Sequence, residues 1–182
     1  KCLSFWGAAF WRDKDIYPNF DEISLSKEVL GNNTLFSHIN HQLPHMAPMI
    51  KAIIDGTLQA GDVTRCNYIY KHDQLCVFPS ISLVRNIGND GTGVNCRADT
   101  VFLDQPIYNK PIRFNPHKTI KTDPTHNKWL QRYFGGTKGV IRGYLIHKEY
   151  VTKNSFAKFI IKKFIMAGRL IHKMSSKLPK NV

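Results

Sequence analysis

The sequence predicts a mixed fold of helices and short strands, α/β or α+β. Three observations carry that expectation. Several stretches repeat apolar residues at three- and four-residue spacing, which is the mark of a helix packed on one side. Others are short apolar runs bounded by proline or glycine, as strands are. The chain has 182 residues, 42% of them hydrophobic and 12% aromatic, enough for about one domain with an ordinary core and too apolar for a disordered tail.

Taken in order, the opening KCLSFWGAAFWRDKDIYPNF sets two tryptophans among small residues and turns at Pro18-Asn19. It begins at Lys1 and lacks the continuous apolar core and the small-residue cleavage site of a signal peptide, which predicts a piece of a longer chain. Ser24 or Ser26 is placed to cap a short helix that ends by Gly31. HMAPMIKAIIDG has apolar residues at 46, 49, 50, 53 and 54, with Gly56 as a stop, and predicts a helix. Asp62 has the position of an N-cap for a second helix, DVTRCNYIYKHD, with Val63, Cys66, Ile69 and Tyr70 facing inward.

LCVFP and SISLVRN predict two short buried strands divided by Pro79. A loop rich in glycine follows. From Asp99 to Pro124, proline and short apolar pairs predict an irregular segment wrapping the domain. Asp123 or Thr125 then caps a helix running to Tyr133 and stopped by Gly135-Gly136.

Ser155 to Lys177 gives the strongest periodicity in the chain. Phe156, Ile160, Phe164, Ala167, Ile171 and Met174 share one helical face, with Phe159 and Leu170 beside it, while Lys158, Lys162, Arg169 and Lys173 fall on another. Such a helix suits a membrane interface, its apolar side among acyl chains and its lysines near anionic headgroups. The alternative is a terminal helix packed on its own domain with solvated lysines. No run of eighteen apolar residues exists, so no bilayer-spanning helix is expected.

The net charge of +13 is uneven: from Gly136 onward there are eleven lysines and arginines against one acid, Glu149, leaving +3 for the first 135 residues. Concentrated on an amphipathic tail, without an RNP or zinc-finger signature, this charge argues against nucleic acid as the partner. Cys2, Cys66, Cys76 and Cys96 show no C-x-x-C spacing and read as reduced thiols rather than a zinc ribbon or a disulfide framework. His38, His41 and His45 have a spacing that suggests a metal site, but Pro44 and polar neighbours predict a loop entering a helix there.

Three motifs add a resemblance. FWGAAFWRDKDIY, AGDVTRCNYIYKHDQLCVFPS and SLVRNIGNDGTGVNC, in this order and at this spacing, resemble the C-terminal half of bacterial family 2-like glycosyltransferases of the GT-A fold, which build surface polysaccharide. The likeness covers residues 4 to 100, and the third motif is its most specific part. It implies an α/β, GT-A-like nucleotide-diphospho-sugar transferase domain, with residues 1–150 as its acceptor-side part and residues 151–182 as a basic amphipathic helix.

The implied reaction moves a sugar from a nucleotide-sugar donor to a glycan or lipid-linked acceptor at the cytoplasmic face of the plasma membrane, with 155–177 touching the membrane. The chemistry needs a base for the acceptor hydroxyl, positive charge for the leaving diphosphate and a walled sugar pocket. The resemblance assigns Asp62 as the base, against its plainer job as a helix cap. It assigns Trp6, Gly7 and Trp11 to the pocket wall, against ordinary core packing, and Arg12 to a pocket cation or a surface charge. Asn86, Gly88, Gly91 and Gly93 become a backbone cradle beside the diphosphate or acceptor, with Arg85 or Arg97 supplying charge.

Two departures stand out. Ala8 and Gly61 occupy places where relatives often have tryptophan, and Asn95 stands where many have a metal-binding histidine. Asparagine is a poorer ligand for a transition metal. A divalent cation, Mg or Mn, is therefore expected to be held mainly by a D-x-D pair upstream of Lys1; the D-x-D spacing present, Asp13 and Asp15, follows the tryptophan motif instead of ending a strand. These residues alone are then not expected to catalyse transfer. The alternative function is a non-catalytic basic module that associates with membrane or binds an acidic polymer.

Overall fold

A computed structural model describes residues 21–79, 81–85, 87–92, 106–111 and 122–175. These divide into two compact units. The first comprises 21–74 and 123–175; the second comprises the described residues from 75 to 122. Trp6, Gly7, Trp11, Arg12, Asn86, Gly93 and Asn95 lie outside the described residues.

The first unit is helical throughout: α1 Glu22–Gly31, α2 Asn33–Gln42, α3 Met46–Ile54, α4 Gly61–Lys71, α5 Pro124–Tyr133, α6 Gly136–Val151 and α7 Ser155–Ser175. This overturns the α/β, GT-A-like expectation, because the described residues contain no sheet. The runs expected as buried strands are irregular and exposed, with Val77 at 73% and Val84, the least exposed of their large apolar residues, at 40%. The pairing present is one isolated parallel bridge between Ser82 and Ile107, where the Tyr108 N–H donates to the Ser82 carbonyl at 2.9 Å. A β-branched run needs a partner strand to become one, and local propensity does not supply it.

Helix starts follow side-chain capping. Asp21, not Ser24 or Ser26, caps α1: its Oδ1 accepts from the Ile23 and Ser24 N–H groups at 3.0 Å, and Ser24 Oγ donates to Oδ2 at 2.5 Å. Those bonds, that of the Ser24 hydroxyl foremost, hold the Asp21 carboxyl below its ordinary value. Asn32 ends α1 and caps α2 through its Oδ1 and the Leu35 N–H, starting a helix that the polar run 33–42 hid from sequence reading. Asp123 caps α5, accepting from Thr125 and His126. Gly56 ends α3 at φ +72°, and Gly135, at φ +124°, breaks the chain between α5 and α6, both conformations that favour glycine.

The core gathers Val29, Leu30, Phe36, Ile39, Met46, Ile50, Ile53 and Ile146 from four helices, with Leu43 from the end of α2. Polar side chains pin the helices to each other. Asn40 of α2 donates Nδ2–H to the Val140 carbonyl of α6 at 2.8 Å, and a Cβ at Gly143 would overlap the Asn40 amide, so α2 and α6 cross where only glycine fits. His147 of α6 stacks on Phe36 at 4.7 Å and donates Nδ1–H to the Leu30 carbonyl at 2.9 Å.

The terminal helix α7 forms where periodicity places it, and it belongs to the same unit as α6. It packs through Ile165, 7% exposed, and the half-buried Ile161, with Lys162 3.7 Å from the buried Glu149 carboxylate. The face predicted to be its apolar stripe is turned out: Phe156 is 74% exposed and Phe164 65%.

Candidate functional site

The described candidate residues fall in two places, one in each unit. Asp62 stands at the start of α4. That end is anchored by Glu22 of α1, whose Oε1 accepts from the Ala60 N–H at 3.1 Å and from Thr64 Oγ1 at 2.6 Å. Ala60 is the N-cap residue, so the expected cap role of Asp62 is filled otherwise. Asp62 lies in the first turn, exposed, with Oδ1 accepting the Val63 N–H at 2.8 Å. This exposed carboxylate stands at the positive end of the helix dipole, where a negative charge is favoured. Most of α4 beyond it is enclosed: Val63 to Asn67, Ile69 and Tyr70 are buried.

His45, beside Asp62 in charge terms, precedes α3 and stacks on Phe134 with ring centres 3.9 Å apart. Burial pushes its imidazolium down to a pKa of about 4, and the Asp62 charge opposes that shift. His45 is therefore neutral at physiological pH, and its Nδ1 is buried without a hydrogen-bond partner. From Phe134 the aromatic row continues edge-on to Tyr133 at 5.0 Å, then in parallel stacking to Trp129 at 5.1 Å. Trp129 is 51% exposed. The result is a ledge of rings from the Asp62 neighbourhood to the open side of α5. Flat apolar ring faces suit the C–H side of a sugar. The sequence signal for this ledge was the Trp129/Tyr133 spacing of four, which one helix face brings into stacking.

His38 and His41 do not converge with His45 on a metal. His38 meets the Tyr70 ring edge-on at 5.3 Å and His41 the Tyr144 ring at 6.0 Å. Among the described residues no group of three or more His, Cys, Asp or Glu side chains is arranged to hold a metal ion.

The second place is the glycine turn. Ile87–Asp90 forms one turn of 3-10 helix, closed by the Gly91 N–H donating to the Gly88 carbonyl at 3.3 Å. Asp90 Oδ1 accepts the Thr92 N–H at 2.8 Å and the Thr92 hydroxyl at 2.7 Å. These bonds, the hydroxyl first, hold the Asp90 carboxyl below its ordinary value and keep it ionised. Gly91 sits at φ +100°, which side chains rarely tolerate. Arg85, Gly88 and Gly91 are thus gathered within one short stretch of the second unit, with Arg85 exposed.

A cleft of about 390 Å³ also lies between α3, α6 and α7, lined by Lys51, Asp55, Glu149 and Lys162 over an apolar floor. Its lysines are matched by its acids, Lys51 with Asp55 at 2.8 Å and Lys162 with Glu149 at 3.7 Å, so it presents no unbalanced charge to a ligand. Compared with known proteins, the chain matches no family model, no curated protein and no solved structure.

Proposed function

We propose that this chain is the acceptor-side part of an inverting, nucleotide-sugar-dependent glycosyltransferase of bacterial surface-polysaccharide synthesis, working at the cytoplasmic face of the plasma membrane. The observation that carries the reading is the glycine turn. In SLVRNIGNDGTGVNC the residue types of the resembling motif have physical reasons: Gly91 supplies a positive φ, and Asp90 locks Thr92 by both backbone and hydroxyl. A turn held in this way presents backbone to a ligand without further ordering cost.

The chemistry follows from the residue types. Asp62 takes the proton of the acceptor hydroxyl as that oxygen bonds to the anomeric carbon; the carbon–oxygen bond to the diphosphate breaks, the nucleoside diphosphate leaves with the electron pair, and the anomeric configuration inverts. The ring ledge from Phe134 to Trp129 offers apolar faces to the acceptor sugar. A divalent cation, Mg or Mn, would offset the diphosphate charge; among the described residues no group of three or more His, Cys, Asp or Glu side chains is arranged to hold one.

The test uses the longer protein that includes the sequence upstream of Lys1, assayed for transfer from several nucleotide sugars. A positioned base is worth about a hundred- to ten-thousand-fold, so Asp62→Asn should lower kcat by that factor and leave stability near the parent's. Full activity in Asp62→Asn removes the base assignment. A second reading, a non-catalytic basic module for membrane or acidic polymer, is favoured by the outward apolar face of α7. Absence of transfer with every donor, in a folded protein, would leave that reading standing.

A further inference from the structure

No helix among the described residues is long and apolar enough to cross a membrane. α7 nevertheless carries two apolar sides. Ile161 and Ile165 face the bundle. On the opposite side of the same turns stand Phe156, Phe159 and Ile160, with Phe164 and Met166 on the two shoulders, all exposed. A helix that only packed on its own domain would bury its phenylalanines and expose its lysines. Here both are outside: Lys163 is exposed among the rings, its ammonium 5.2 Å from the centre of the Phe159 ring.

We infer that the outward face of α7 docks flat on an anionic lipid bilayer, with Phe156, Phe159, Ile160 and Phe164 below the headgroups and Lys163 at phosphate depth. This deepens the membrane location in the proposed function, and names its lipid chemistry and its residues. Charge selects the occupant. An isologous contact with a second copy would set each lysine-bearing face against its own like, which repels. An acidic polymer would satisfy the lysine but leave the phenylalanines in water. An anionic bilayer meets both demands, apolar burial for the rings and opposite charge for the lysine. From Phe156 to Met166, at about 1.5 Å of rise per residue, the exposed face of α7 offers roughly 15 Å of contact along the surface.

The experiment is flotation of the 182-residue chain with vesicles of phosphatidylcholine, alone or with about one-third phosphatidylglycerol. The expected result is binding that depends on phosphatidylglycerol and falls with salt. Lys163→Gln should weaken it by roughly fivefold. Phe156→Ser with Phe164→Ser should abolish flotation while leaving far-ultraviolet circular dichroism unchanged, since both side chains are already exposed. In a Phe164→Trp variant, brominated acyl chains should quench the new tryptophan more than they quench the three native ones. Failure to float, flotation untouched by the phenylalanine changes, or a dimer in sedimentation velocity that the same changes disrupt would each overturn the inference. Vesicle binding is read without transfer. An active enzyme that ignores vesicles sinks this inference alone, and a vesicle-binding chain whose longer form transfers no sugar sinks the enzyme reading alone.

Discussion

Replacing Gly143 by alanine tests the helical architecture most directly. In the structure, a Cβ at this position would lie 2.6 Å from Asn40 Cγ and 2.9 Å from its Nδ2. Asn40 is fully buried, so its amide has no solvent to retreat into, and its bond to the Val140 carbonyl must break or α2 and α6 must part. A buried donor left unmatched costs about 1–3 kcal/mol. Forcing a methyl into a filled contact costs about 1–3 kcal/mol more. The better helix propensity of alanine returns about 1 kcal/mol. The net expectation is destabilisation by about 3 kcal/mol, read as a lower urea midpoint at unchanged slope by circular dichroism.

Two controls make this specific. Gly168→Ala, in α7 with nothing within 4 Å of the new methyl, should be neutral or stabilising by up to about 1 kcal/mol. Asn40→Ala combined with Gly143→Ala should be more stable than Gly143→Ala alone, with a coupling of at least about 1 kcal/mol, because the clash is gone. A Gly143→Ala protein within about 0.5 kcal/mol of the parent, or a double variant no better than the single one, would refute the crossing described here.

Other outcomes can be checked in the same preparations. His45 has a folded pKa depressed from 6.5 to about 4, so the unfolded chain binds a proton there that the folded chain does not. Stability should therefore fall as pH drops from about 6.5 to 4, by up to about 3 kcal/mol, and His45→Phe should flatten that slope. The Asp21 and Asp90 carboxyls are held below their ordinary value of 3.8 and act in a separate window, adding stability above it that is lost as pH falls further. Asp123→Ala removes the acceptor for Thr125 and His126 and should cost about 1 kcal/mol, seen as a lower urea midpoint. Gly91→Ala strains a φ of +100° by about 1–3 kcal/mol, so exchange at the Thr92 amide should speed up by roughly tenfold or more.

Several features of this protein were set by short-range sequence alone. The apolar spacing of 46–54 and 155–175, the carboxylate of Asp123 next to Pro124, and the stops at Gly56 and Gly135 each act within one or two turns of chain, and each appears where the residues predict it. Tertiary structure decided the rest. α2 and α6 escaped sequence reading because their buried positions include Asn40, His147 and Glu149, polar residues made acceptable only by partners some hundred residues away or on the next helix. LCVFP and SISLVRN have strand-like composition without a partner strand, so no sheet forms among the described residues. The N-cap place expected for Asp62 falls to Ala60, and Glu22, arriving from another helix, holds that end of α4 through the Ala60 N–H and the Thr64 hydroxyl. On α7, periodicity found the apolar stripe but could not choose what would cover it, since the helix has apolar residues on two sides. Spacing and capping are local energies written in neighbouring residues; which surfaces meet depends on groups far apart in the chain, and only the folded arrangement brings them together.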